Sequence, residues 1–126
     1  MTTSERMLGF LQGQGFLPEV DSDNGNIIFK YQMNTFLFVN NDDDEGFFQL
    51  IMPGIYDVTE DNREMVLEAL NKTNASYKVI KCSLIRDEVW VFFESLLDST
   101  PEVEDIVPRA LDMLQGARHR FYECMQ

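Results

Sequence analysis

The sequence predicts an α+β domain in the order helix, three strands, helix, two strands, helix (α-β3-α-β2-α), with a five-stranded antiparallel sheet packed by helices. Three observations predict it. Apolar residues recur at helical spacing at both ends and in the middle of the chain, whereas between these stretches the period drops to two. Within each period-two block the connections are short. A parallel crossover needs about a dozen residues or more, so neighbouring strands must run antiparallel.

The first helix opens at Thr2, with Glu5 at capping-box spacing, and buries Met7, Phe10 and Leu11 until Gly13 and Gly15 stop it. Pro18 to Asn26 is acidic and rich in turn formers, hence a loop, in which Glu19 and Val20 could make a short edge pairing. From Ile27 the alternation sets Ile27, Phe29, Tyr31 and Met33 against Ile28, Lys30 and Gln32, a strand with one face in the core. Asn34 supplies a turn, and Thr35 to Asn40 form a second strand, apolar on both faces. Asn41-Asp42-Asp43-Asp44-Glu45-Gly46 is a turn that must sit in water. The third strand, Phe47 to Met52, is ended or bulged by Pro53-Gly54 and can resume through Ile55-Tyr56.

Thr59 is the expected cap of the middle helix, with Glu60 and Asp61 on its first turn and Met65, Val66, Ala69 and Leu70 buried. Tyr77 to Ile85 and Glu88 to Glu94 form a hairpin around Arg86-Asp87. The last helix is expected to open with Thr100 as cap and Pro101 at its first position, and Pro108 should kink it.

One domain of 126 residues with a net charge of −12 has room for a single core and repels phosphate backbones and anionic lipid. No nucleic acid and no membrane are therefore expected as partners. Basic or amphipathic polypeptides fit better. The polar start Thr2-Thr3-Ser4-Glu5-Arg6 is unlike a signal peptide, and Val89 to Phe93 is far too short to span a bilayer, so a cytoplasmic location is expected. Cys82 and Cys124 lie far apart with no metal-ligand spacing and read as reduced thiols.

The two faces of the sheet carry the functional information. With Ile27, Phe29, Phe36, Phe38, Phe48, Leu50, Val91 and Phe93 turned to the helices, the opposite face still holds Ile28, Leu37, Val39, Phe47, Ile51, Val79, Trp90 and Phe92. A solvated face would be polar. Either the three helices divide over both faces and these residues are core, or one face stays open and binds a polypeptide, a second copy of the chain or a protein or peptide client. The eight residues are the candidate partner-binding set.

The strands Ile27-Ile28-Phe29-Lys30-Tyr31-Gln32 and Phe36-Leu37-Phe38-Val39, the helix around Val66-Leu67-Glu68-Ala69-Leu70-Asn71 and the hairpin strand Val89-Trp90-Val91-Phe92-Phe93-Glu94 resemble the YbjN-type and type III secretion chaperone-like proteins. The resemblance covers most of the chain. It implies the α-β3-α-β2-α fold and a non-enzymatic bacterial protein, often a homodimer, binding a client on apolar surface or sheet edge. No site residue carries over from it.

Catalytic and metal-ligating candidates are weak. The Asp42 to Glu45 turn invites calcium, but an EF-hand begun at Asn41 would place Met52 where the bidentate acid belongs, and Asp21-Ser22-Asp23-Asn24-Gly25 has its glycine one position early. His119, between Arg118 and Arg120, complements the end of the last helix and has no nucleophile to activate. Ser83, Ser95 and Ser99 lack a nucleophile-elbow context, and Gly9, Gly13 and Gly15 lack the lysine of a phosphate loop. No catalytic residue, metal ligand or cofactor is assigned. A small hydrolase or lyase working through acidic residues, or a calcium-binding regulatory domain, is the alternative to a binding module.

Overall fold

The computed structural model describes residues 1–97 and 102–126, so the expected cap Thr100 and first-turn Pro101 lie outside the described residues, as does Ser99. In chain order the elements are α1 (Thr3–Gly13), β1 (Glu19–Val20), β2 (Ile27–Tyr31), β3 (Asn34–Phe38), β4 (Phe47–Asp57), α2 (Arg63–Ser76), β5 (Ile80–Ile85), β6 (Glu88–Leu96) and α3 (Val103–Cys124). The sheet is antiparallel throughout, with strand order β1-β2-β3-β4-β6-β5. It therefore has six strands rather than five. The added one is the two-residue pairing of Glu19 with Ile28 and Val20 with Ile27.

α1 forms as its capping box dictates: the Glu5 N–H donates to Thr2 Oγ1, and the Thr2 N–H donates to Glu5 Oε1, each at 3.1 Å. The acidic turn adds to it. Thr3 N–H donates to Glu45 Oε1 at 2.9 Å, and Ser4 Oγ lies 2.9 Å from Asp42 Oδ1, so these carboxylates face the positive end of the helix.

All three helices feed one core. Met7 and Leu11 of α1, Val66, Ala69 and Leu70 of α2, and Val103, Val107, Leu111, Leu114 and Phe121 of α3 join the inward strand residues Ile27, Phe29, Phe36, Phe38, Phe48, Leu50, Val89, Val91 and Phe93 in a single buried cluster. The helices thus lie together on one side of the sheet.

Local geometry corrects several expectations. The β2–β3 turn is Gln32-Met33, both with positive φ (49° and 68°), closing Tyr31 against Asn34. A two-residue hairpin of this kind needs left-handed backbone at both centres. Met33 is consequently fully exposed rather than core, and Asn34 is the first residue of β3. β4 does continue past Pro53-Gly54, its register with β6 shifting between Met52 and Tyr56 as a bulge.

α2 starts at Arg63, four residues after the expected cap, because Asn62 ties down the approach: the Thr59 N–H donates to its Oδ1 at 2.8 Å, and its Nδ2 donates to the Asp57 carbonyl. Met65, expected in the core, is exposed. β5 begins at Ile80, not Tyr77, since Val79 (φ 55°) breaks the extended run. The helix α3 passes unbroken through exposed Pro108. Arg118, His119 and Arg120 fall short of its last turn, which holds no basic residue. Instead Arg118 lies 4.6 Å above the Tyr122 ring, and His119 and Arg120 approach Glu123 at 4.0 and 3.9 Å.

Candidate recognition face

Residues paired across an antiparallel sheet share a face, so the register alone builds a continuous row. Glu19, Ile28, Leu37, Ile51, Phe92 and Lys81 stand side by side across β1, β2, β3, β4, β6 and β5. Four apolar side chains occupy its centre, with a carboxylate at one edge and an ammonium at the other. Phe47 pairs with Leu96 on the same face, Gln49 with Glu94, and Trp90 with Ser83. None of Ile28, Leu37, Val39, Phe47, Ile51, Trp90 or Phe92 belongs to the buried cluster beneath the helices. Among the described residues no helix lies on this face.

The eight sequence candidates sort into three groups. Ile51 and Phe92, only 4% and 8% exposed, form a floor that neighbouring side chains cover. Trp90 stacks on Phe92 with ring centroids 6.3 Å apart, and Lys81 Nζ sits 4.9 Å above the Phe92 ring. Ile28 is exposed, while Leu37, Val39, Phe47 and Trp90 are half-buried, and these are the side chains a partner would meet. Val79 is the exception. Its left-handed backbone turns the chain, and it lines a groove of about 410 Å³ with Phe93, Ile106 and Met113 on the α3 side of the sheet. Exposed Leu96, beside Phe47, belongs to the face but was missed because Glu94 looked like the end of the strand.

The strand edges are less open than the face. At β5 the Cys82 N–H donates to Asn74 Oδ1 at 2.7 Å and Asn74 Nδ2 donates to the Cys82 carbonyl at 3.1 Å, so an α2 side chain occupies the edge. The opposite edge, β1, offers two residues.

Acidic residues gather where the strands end. Asp21, Asp23 and Asp42 to Glu45 lie in the turns beyond Ile27, Phe38 and Phe47, and Asp57, Asp87 and Glu88 lie at the other end. On the face itself the charged side chains are Glu19 at the β1 edge, exposed Lys30 on β2, and Glu94 with Lys81, the last two paired at 3.0 Å, while Arg86 stands beside Asp87 in the β5–β6 turn. The arrangement is an apolar strip between two acidic borders, suited to apolar side chains flanked by cations.

Groups suited to covalent or acid–base work lie elsewhere. Among the described residues no three His, Cys, Asp or Glu side chains converge as a metal set. His119 is well exposed on α3, and burial pushes the Cys82 thiol up to about 12. Donation of its proton to the Asp105 carboxylate, together with the charge of that carboxylate, holds the Glu102 carboxyl above its ordinary range, but this pair lies in solvent at the start of α3.

The family model of YbjN, described as "Putative bacterial sensory transduction regulator", matches residues 3–122. The chain belongs to the YbjN family. Solved structures that share its fold include the following two. An uncharacterized protein from Methanothermobacter thermautotrophicus superimposes with a TM-score of 0.69 at 12% identity, over 98% of this chain and 96% of that one. YbjN from E. coli, described as "a putative transcription regulator", gives 0.68 at 11% identity, over 95% and 89%. No curated protein matches the chain. Among the described residues no helix is long and apolar enough to cross a membrane.

Proposed function

We propose that this YbjN-family chain is a regulatory binding module without enzymatic activity, which takes a cationic, amphipathic segment of another polypeptide on its helix-free sheet face in the bacterial cytoplasm. The observation that carries this is the Ile28–Leu37–Ile51–Phe92 row, four apolar side chains abreast with no helix upon them among the described residues, on a chain of net charge −12. Apolar contact supplies a driving force of about 25 cal/mol per Å² buried, from which the cost of ordering the partner is subtracted, and the acidic borders favour basic partners and repel acidic ones. The regulatory description of the family supports the reading, and the resemblance to secretion chaperone-like proteins belongs to it.

Trp90, the only tryptophan, stands on this face and makes the test direct. Its fluorescence should change saturably as a synthetic peptide of alternating Leu and Lys is added, and Leu37→Asp should abolish the response. A peptide of alternating Leu and Glu should leave it unchanged. Equal responses to both peptides would overturn the reading.

Self-association on the same face is a second reading, favoured by one feature. Glu19 and Lys81 terminate the row at opposite edges, so a two-fold axis parallel to the strands sets Glu19 of one copy over Lys81 of the other. Light scattering across a concentration series separates the two. A homodimer dispersed by Leu37→Asp supports self-association, and a monomer at every concentration dismisses it.

A further inference from the structure

Glu94 is a carboxylate set among the apolar side chains of the helix-free face, between Phe92 and Leu96 along β6 and opposite Gln49. It is held firmly on one side: Gln49 Nε2 donates to Glu94 Oε2 at 2.6 Å. On the other side its Oε1 receives Lys81 Nζ at 3.0 Å, and the same ammonium lies 4.9 Å above the Phe92 ring, which is itself stacked on Trp90. An aromatic floor and a fixed carboxylate together make a receptor for one cation. The present occupant is a side chain of the edge strand β5, more than half exposed, while Glu94 is 27% exposed. The acceptor is fixed and the cation is free to leave.

Resting on the binding reading above, we propose that Glu94 and Phe92 form the specificity subsite for a lysine or arginine of the partner segment, and that Lys81 is the internal occupant it displaces. Three considerations carry this. An exposed ion pair between long side chains is held weakly, so exchanging one cation for another costs little. Cation–aromatic attraction strengthens when the site is desolvated, and a partner whose apolar residues cover Leu37, Phe47 and Trp90 desolvates it, which Lys81 alone cannot do. Once a partner covers half-buried Glu94, a carboxylate left without a cation is penalised, so a partner lacking a base at that position must leave Lys81 in place and gains nothing from the subsite.

The test compares the Leu/Lys peptide with an analogue in which every Lys is Gln, on the wild-type chain, Lys81→Met, Lys81→Gln and Glu94→Gln, reading Trp90 fluorescence and the thermal midpoint of each variant. Removing Lys81 should tighten the Leu/Lys peptide by about threefold or more, and Glu94→Gln should weaken it roughly tenfold. The Leu/Gln analogue, which brings no cation, should bind Lys81→Met and Lys81→Gln more weakly than the wild type, because it covers an uncompensated Glu94, and should lose nothing on Glu94→Gln. Variants with unchanged midpoints that bind both peptides as the wild type does would overturn the subsite, leaving the face as a binding surface. Failure of the wild-type chain to bind the Leu/Lys peptide would overturn both.

Discussion

Asn74, near the end of α2, holds Cys82 of β5 through both backbone groups, accepting its N–H at 2.7 Å and donating to its carbonyl at 3.1 Å. A primary amide mimics a neighbouring strand for one residue, joining a helix to a sheet edge and denying that edge to other chains. Asn74→Ala leaves an N–H and a carbonyl orphaned, at about 1–3 kcal/mol. Urea denaturation should show that loss, and Asn74→Asp, which can still accept, should lose less. Concentration-dependent association of Asn74→Ala in light scattering is the second expected result.

Cys82 also sets an alkaline limit. Burial raises its thiol from the ordinary 9.0 to about 12 in the folded chain. Above pH 9 the unfolded chain gives up that proton while the folded chain keeps it, so stability is whole below pH 9 and falls as pH rises from 9 towards 12. Denaturant midpoints measured over this range for wild type and Cys82→Ala should converge with rising pH. In the native chain a thiol reagent should modify half-buried Cys124 well before Cys82.

The bulge in β4 depends on Gly54. Its φ of 57° is costly for any side chain, and a Cβ there would lie 2.9 Å from Glu88 Oε2. Gly54→Ala should lose about 1–2 kcal/mol from backbone strain alone. Adding Glu88→Ala should recover only the part due to contact, which a double-mutant cycle measures.

The capping box of α1 gives an acid-side prediction. The Thr2 backbone and side-chain hydrogen bonds hold the Glu5 carboxyl below its ordinary 4.5. Its contribution is therefore present above that value and lost as pH falls through the lowered one. Thr2→Ala should cost about 1 kcal/mol at neutral pH by thermal melting, and the difference from wild type should shrink in acid.

How much of this was legible follows from what each residue type commits to by itself. The capping box, the Arg86-Asp87 turn and the alternation of β2, β3 and β6 are local, and the structure has them where the sequence implies. The Gln32-Met33 turn is not legible because left-handed backbone there is imposed by hairpin closure, not by either side chain. Local sequence places the start of α2 too early because Asn62 reaches back to Asp57 and Thr59 through two hydrogen bonds that only the fold reveals. The face was legible as a set of alternating positions. What periodicity could not decide was which side the helices take, and it could not foresee Val79 leaving the face or Lys81 folding over Phe92.

Whether the helix-free face is the docking surface is decided by residue-by-residue mapping of backbone amide shifts in the labelled chain on titration with the Leu/Lys peptide. The perturbed amides should cluster on Ile28, Leu37, Ile51, Trp90, Phe92 and Glu94. Shifts confined to the exposed helix side, at Met65, Leu67 and Arg109, or none at saturating peptide, would contradict docking there.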